Sequence, residues 1–219
     1  MKLSKRLKAV ADMVTPGLKI ADIGTDHAFL PIWLVLSEKT PSAVAMDINN
    51  EPIKKACDNI AKYKLQDRIH CRQSNGLQML EKDEVDCAVI SGMGGDLISN
   101  IISSDPDKVY ELVVSPHTHQ EIVRQTLRQN DYQILSEKLI KDSGKYYPII
   151  KAIKNKNSIS INDVPSKQYD YFGELLIREK DPVLKEYLSR EYDKYSSIPQ
   201  KKDYLEIVSL ALMEINNYD

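Results

Sequence analysis

Between residues 18 and 129, short apolar runs alternate with segments of helical period, and consecutive runs are too far apart to be joined by a tight turn. Runs 18–22, 42–48, 69–73, 86–91 and 111–115 read as strands. Segments 29–37, 51–63, 95–103 and 119–129 read as helices, and 77–81 as a helical turn. Neighbouring strands linked through helices must run parallel, and each crossover is right-handed. The pattern therefore predicts a doubly wound parallel sheet with helices on both faces.

The end of the series differs. Runs 132–141 and 146–153 are extended and separated only by Asp142-Ser143-Gly144, the signature of a hairpin. A mostly parallel seven-stranded sheet closed by an antiparallel hairpin is the outline of the class I methyltransferase (Rossmann-like) fold, an expectation by fold analogy. A polar stretch over 154–166 then reads as a linker. Beyond it, 184–195 and 201–216 carry apolar residues three and four apart, divided by Ile198-Pro199, which predicts two antiparallel helices. The expected division is a catalytic domain over 1–156 and a C-terminal helical hairpin domain over 157–219.

The first strand–turn–helix, Lys19-Ile-Ala-Asp-Ile-Gly-Thr-Asp-His-Ala28, says most about the ligand. A second strand ends at Asp47-Ile48, returning a carboxylate beside that turn, and one carboxylate can accept two hydrogen bonds from a ribose cis-diol. A dinucleotide turn needs several glycines so that backbone N–H groups can approach a pyrophosphate. Only Gly24 is present; Thr25, Asp26 and His27 bring bulk or charge that opposes phosphate. S-adenosylmethionine carries a ribose and cationic groups but no phosphate, so Asp22 and Asp26 suit it. A methyl donor is favoured over NAD.

Ligands of open parallel sheets lie outside the carboxyl ends of the strands. Ser74-Asn75-Gly76, Ser91-Gly92-Met93-Gly94-Gly95 and Ser115-Pro116-His117 should therefore border one crevice. Asn75 is placed to accept from an adenine amino group, and Leu77 could pack on the ring. Three glycines in four residues imply a close backbone approach or a helix N-terminus at Gly95. The Asp/Asn-Pro-Pro-aromatic sequence usual in amino-group methyltransferases is missing. Cys57, Cys71 and Cys87 lie within predicted helix or strand, where a loop nucleophile would not be, and lack the spacing of a zinc site.

Net charge of −2 and 28% charged residues leave nucleic acid open as a partner, because clustering rather than the total decides. The opening Lys2, Lys5, Arg6 and Lys8 alternate with Leu3, Leu7 and Val10 at helical spacing, giving one basic face that is either solvated or phosphate-binding. No run approaches the roughly 18 apolar residues of a membrane span. A cytoplasmic monomer without membrane or metal is expected.

Taken together, Leu3-Ser-Lys-Arg-Leu7, the Ala21–Ala28 turn with Leu30-Pro31, Asn75-Gly-Leu77, Gly92-Met-Gly-Gly95, Gly144-Lys-Tyr-Tyr147, Phe172-Gly-Glu-Leu-Leu176 and Tyr187-Leu188 resemble the bacterial tRNA adenine-22 N1-methyltransferases of the TrmK type. The resemblance covers nearly the whole chain. It implies a class I domain followed by a helical coiled-coil domain, and methyl transfer from S-adenosylmethionine to adenine N1 of tRNA. On this basis Asp22, Gly24, Asp26, His27, Asp47, Ile48, Ser74, Asn75, Gly76, Ser91, Gly92 and Met93 would hold the donor. Asp26 and His27 would assist catalysis, unless Asp26 merely caps the following helix and His27 is a turn residue. Lys2, Lys5, Arg6, Lys8, Lys151 and Lys154, with Lys156, would contact tRNA phosphates. The chain departs from the family pattern in Asp47 for Glu, Asn75 for Asp, and Ser115-Pro-His117 for Gln-Pro-Asn. Methylation of another RNA base or of a small molecule, and a non-catalytic RNA-binding protein with a donor-like pocket, remain the alternatives.

Overall fold

The computed structural model describes residues 1–155 and 165–217. An amphipathic helix α1 (Lys5–Met13), capped by the Ser4 hydroxyl accepting from the Leu7 N–H, precedes the sheet. Then follow β1 (Ile20–Ile23), α2 (Phe29–Leu36), β2 (Ala43–Asp47), α3 (Asn50–Lys62), β3 (Ile69–Gln73), β4 (Cys87–Ser91), α4 (Gly95–Ser104), β5 (Glu111–Ser115), α5 (Gln120–Gln129), β6 (Tyr132–Asp142) and β7 (Lys145–Lys154).

Among the described residues these strands form one sheet in the order β3-β2-β1-β4-β5-β7-β6. Pairing is parallel from β3 to β5 and antiparallel for β7 with β5 and β6, the arrangement expected from the alternation and the hairpin. All four residues of β1 are buried, as a strand covered on both faces requires. Ile20, Ala43, Val89 and Val113 pack under α1, α2 and α3, whereas Ala21, Val44, Ala88 and Val114 pack against α4 and α5.

Residues 77–81 begin with a hydrogen-bonded turn, Leu80 N–H to the Leu77 carbonyl at 3.0 Å, where a helical turn was expected. Two expectations are corrected. Leu77 is 1% exposed and belongs to the core, so it is not available to a ligand ring. Beyond the sheet, α6 (Lys167–Phe172) and α7 (Glu174–Arg178) precede α8 (Pro182–Tyr195) and α9 (Lys202–Asn217), where only the last two were expected. Helices of six and five residues are too short to display a period, and Gly173 at φ +93° separates them. The expected domain boundary at 156/157 lies outside the described residues, as does Lys156.

The C-terminal helices have a core of their own, Phe172, Leu176, Ile177, Leu184, Leu188, Val208 and Ala211, closed onto Leu139 of β6. A buried ion pair holds them there. Arg124 on α5 donates from Nε to Glu137 on β6 at 2.7 Å, both side chains 1% exposed, and from its Nη1 to the Asp170 carbonyl at 2.7 Å. The other Glu137 oxygen accepts from the Leu175 N–H at 3.3 Å. Gly173 is required because a Cβ would sit 2.6 Å from the Glu137 carboxylate, and its φ is in the left-handed region.

Removing one partner leaves a buried charge uncompensated. We predict that Glu137→Gln lowers the equilibrium unfolding free energy by about 3–5 kcal/mol. A loss below about 1 kcal/mol in urea titration would show that the pair does not hold the helices.

Candidate active site

Parallel register brings five strand ends to one edge. Ile23 of β1 lies opposite Met46 of β2 and Ile90 of β4, so the turns after these strands emerge side by side. Thr25 N–H donates to the Met46 carbonyl at 2.8 Å and Ser74 N–H to the Asp47 carbonyl at 2.9 Å, tying the first three turns together. Between β1 and β4 the chain changes direction across the sheet, the position where such folds bind ligands.

The first turn is held in unusual backbone. Gly24 (φ +73°), His27 (φ +62°) and Ala28 (φ +54°) are all left-handed, and left-handed non-glycine residues cluster where function over-determines the structure. A Cβ at Gly24 would meet the Met93 methyl at 2.0 Å, so this glycine lies directly under the loop after β4. The structure answers the alternative for Asp26: α2 begins after Ala28 and has no side-chain cap. Asp26 is instead 83% exposed, with His27 Nε2 3.3 Å from its carboxylate. The His27 ring stacks on Phe29, centroids 5.2 Å apart, and its carbonyl accepts from Asn59 at 3.0 Å.

Asp22 is buried beneath the turn, accepting from the Thr25 hydroxyl at 2.7 Å. Burial, with a smaller contribution from Asp47, pushes its carboxyl up to about 6 against the opposing effect of the Thr25 bond. Thr25 was missed in the sequence, where only its place between Gly24 and Asp26 could have suggested a role. At the end of β2, one Asp47 oxygen accepts from the Asn49 N–H at 2.7 Å, leaving the other for a ligand. Neighbouring Ile48 is 56% exposed, an apolar surface at the mouth. Asn75 is exposed, whereas Ser74 is consumed locally, its hydroxyl donating to the Gly76 carbonyl at 2.9 Å.

The glycine loop is explained largely from within. Gly92 adopts φ +86°, and a Cβ at Gly95 would lie 2.3 Å from the His119 carbonyl, so α4 can start there only with glycine. His117 N–H donates to the Met93 carbonyl at 2.8 Å, locking the loops after β4 and β5 together, with Ser91 paired to Ser115. The His117 ring receives a hydrogen bond from Arg6 and meets Tyr147 edge-on at 5.6 Å. Burial, then Arg6 and Lys145, holds it below the usual histidine range.

The expected phosphate contacts separate into two groups. Lys2 is exposed; Lys5 donates to the Lys141 carbonyl at 2.7 Å; Lys8 pairs with Asp12; and Arg6 lies 5.3 Å over Tyr147 beside the crevice. Lys151 and Lys154 are not brought to this edge. Both lie toward the amino end of β5, where Lys151 pairs with Glu111 at 3.1 Å and Lys154 with Asp107 at 2.8 Å.

Residues 3–150 match the methyltransferase-domain family. The tRNA (adenine(22)-N(1))-methyltransferase of Bacillus subtilis is 32% identical over 201 residues, 90% of this chain and 84% of that one. The chain belongs to the TrmK family. The crystal structure of B. subtilis TrmK aligns with a TM-score of 0.81 at 30% identity, covering 98% of this chain and 97% of that one. TrmK of M. capricolum, in complex with S-adenosyl-homocysteine, aligns with a TM-score of 0.82 at 31% identity, covering 100% and 98%. The TrmK resemblance and the mostly parallel seven-stranded sheet with its closing antiparallel hairpin, both read from the sequence, are thus correct. No helix among the described residues is long and apolar enough to cross a membrane, and none of them form a group of three or more acidic, histidine or cysteine side chains able to hold a metal.

Asp22 provides a test. A raised folded pKa means that the protonated form stabilises the fold below 3.8 and that this contribution disappears as pH rises through about 6. Ionised Asp22 thus costs the free protein about 3 kcal/mol above that range. We predict that Asp22→Asn raises unfolding free energy at pH 7.5 by up to this amount and has little effect near pH 4, read by urea titration at both. A lower stability at pH 7.5 would refute the assignment.

Proposed function

We propose that this chain is an S-adenosylmethionine-dependent methyltransferase acting on N1 of adenine 22 in tRNA, as a cytoplasmic monomer with a catalytic domain over 1–156 and a C-terminal helical domain over 157–219. The observation that carries the reading is the crevice at the carboxyl edge, where Asp22, Gly24 and Asp47 adjoin the Gly92–Gly95 loop in a TrmK-family chain. The donor fits these residues: Gly24 at φ +73° turns the chain sharply at the crevice floor, Asp47 keeps a free acceptor for a ribose diol, and buried Asp22 is matched to a cationic group.

When bound, S-adenosylmethionine supplies an electrophilic methyl group. The chain's own residues then position and shield. Asp22 and Asp47 orient the donor, exposed Ile48 covers its adenine, and Asn75 accepts from the adenine amino group. Met93, lying on Gly24, closes the space from the side of β4. Ser74, Gly76, Ser91 and Gly92 shape the surrounding loops. Adenine N1 has a lone pair at neutral pH, so attack needs no covalent enzyme intermediate, and catalysis is chiefly alignment and exclusion of water. Methylation leaves the base cationic until its exocyclic amine loses a proton. Asp26 and His27, both solvent-accessible at the mouth, take that proton up.

The target base has to leave the folded tRNA, by flipping into the crevice. Lys2, Lys5 and Lys8 on the α1 side supply phosphate contacts, and Arg6 acts at the crevice wall through His117 and Tyr147. Lys151 and Lys154 are left out of this surface.

Two outcomes are expected. Methyl transfer to unmodified tRNA transcripts gives 1-methyladenosine with adenine at position 22 and none with guanine there; product from both transcripts would reject the target. Asp47→Ala weakens donor affinity roughly ten- to a hundredfold by calorimetry, the scale of a charge-assisted hydrogen bond. Unchanged affinity would remove Asp47 from the site.

A further inference from the structure

A cavity of about 240 Å³ lies between the loop after β5 and the C-terminal helices. It is smaller than the roughly 300–1,000 Å³ of sites for drug-sized ligands, a size for one ring system rather than a whole cofactor. Its walls include His117 and His119 from the loop, Tyr146 from the hairpin, Tyr171 from α6, Tyr187 from α8 and Tyr204 from α9. The four tyrosines are half-buried: they pack on the C-terminal core around Phe172 and also line the space. Tyr146 and Tyr187 stand 5.0 Å apart at 54°, and Tyr171 and Tyr204 6.1 Å apart at 54°, so neither pair is stacked face to face.

We propose that this cavity binds an unstacked nucleobase of the tRNA, a neighbour of the base that is methylated. The inference rests on the function proposed above and adds a second contact to it. The chemistry of the lining supports a base as the occupant. Aromatic faces accept any nucleobase by stacking, and a base next to a flipped one has lost a stacking partner. Glu121 also lines the wall and offers an acceptor for an exocyclic amine.

At the rim Lys141 is paired with Glu186 and Glu191 accepts from the Tyr204 hydroxyl at 2.7 Å, while Arg190 lies 5.5 Å over the Tyr146 ring and is the cation there that can meet a phosphate. Position completes the case. The His117 N–H to Met93 carbonyl bond joins the cavity wall to the glycine loop of the crevice, so the two sites are one loop apart. The cavity thus assigns the C-terminal helices a direct part in substrate binding.

The test compares Tyr146→Leu and Tyr171→Leu, which remove ring faces contributed by β7 and α6, with the corresponding Phe variants, which keep them. Dissociation constants for tRNA and for S-adenosylmethionine are measured together with thermal melting and wild-type methyl transfer. Each Leu variant should weaken tRNA binding about tenfold, with donor affinity intact and the Phe variants near wild type. Unchanged tRNA binding in both Leu variants, or equal losses in Leu and Phe variants, overturns the site. Wild-type turnover with unaffected Leu variants removes only the cavity; a wild type that neither binds nor methylates tRNA removes the functional reading and the cavity with it. If a Leu variant melts lower, ultraviolet cross-linking of tRNA to the unaltered protein decides. Nucleotide adducts on Tyr146, Tyr171, Tyr187 or Tyr204 uphold the proposal, and adducts only elsewhere overturn it.

Discussion

The hydrogen-bonded register of β1 between β2 and β4 is the constraint on which the other features depend. Because all three strands are parallel and aligned at Ile23, Met46 and Ile90, their carboxyl ends finish at one level. Gly24, Asp47 and the Ser91–Gly95 loop can meet only for that reason. Pairing by one residue less would exchange the side chains of β1 between the two helix layers and move Gly24 out of level with Asp47 and the Ser91–Gly95 loop. The continuous apolar strands specify that register through packing on both faces.

Two buried acids serve different purposes. Asp22 is kept below the turn without a cationic partner in the free protein, so its charge is disfavoured until a cation arrives. Glu137 is paired with Arg124 and further hydrogen-bonded, and its role is to fix the C-terminal helices on the hairpin edge. The first arrangement suits the donor site proposed above, and the second favours a definite placement of α6 to α9. Without that placement the tyrosines of α6, α8 and α9 would have no common cavity with the loop after β5.

Loops of the crevice are locked to each other more than to any ligand. Gly95 is forced by the carbonyls of Thr118 and His119, and His117 is joined through its backbone to Met93 and through its ring to Arg6. Such cross-loop contacts pre-organise the site, which reduces what binding must spend on ordering. They also bring α1 to the crevice wall, through Arg6 against His117 and Tyr147.

Periodicity and turn chemistry in the sequence by themselves determined the alternating elements, the closing hairpin and the single-glycine turn with its strand-two acid. Each is local: a run, a spacing, a glycine. Motif resemblance added the family, which the comparisons bear out. Tertiary structure alone decided the rest. Helices α6 and α7 were too short to show a period. Leu77, which could have faced a ligand, is in the core, and Asp26 is exposed rather than a cap. Lys151 and Lys154 look like free cations in the chain but are satisfied at the opposite end of β5. His117 gained a partner 111 residues away. Partners so distant in the chain leave no spacing to read; their contacts arise only when the sheet and helices close around a shared core.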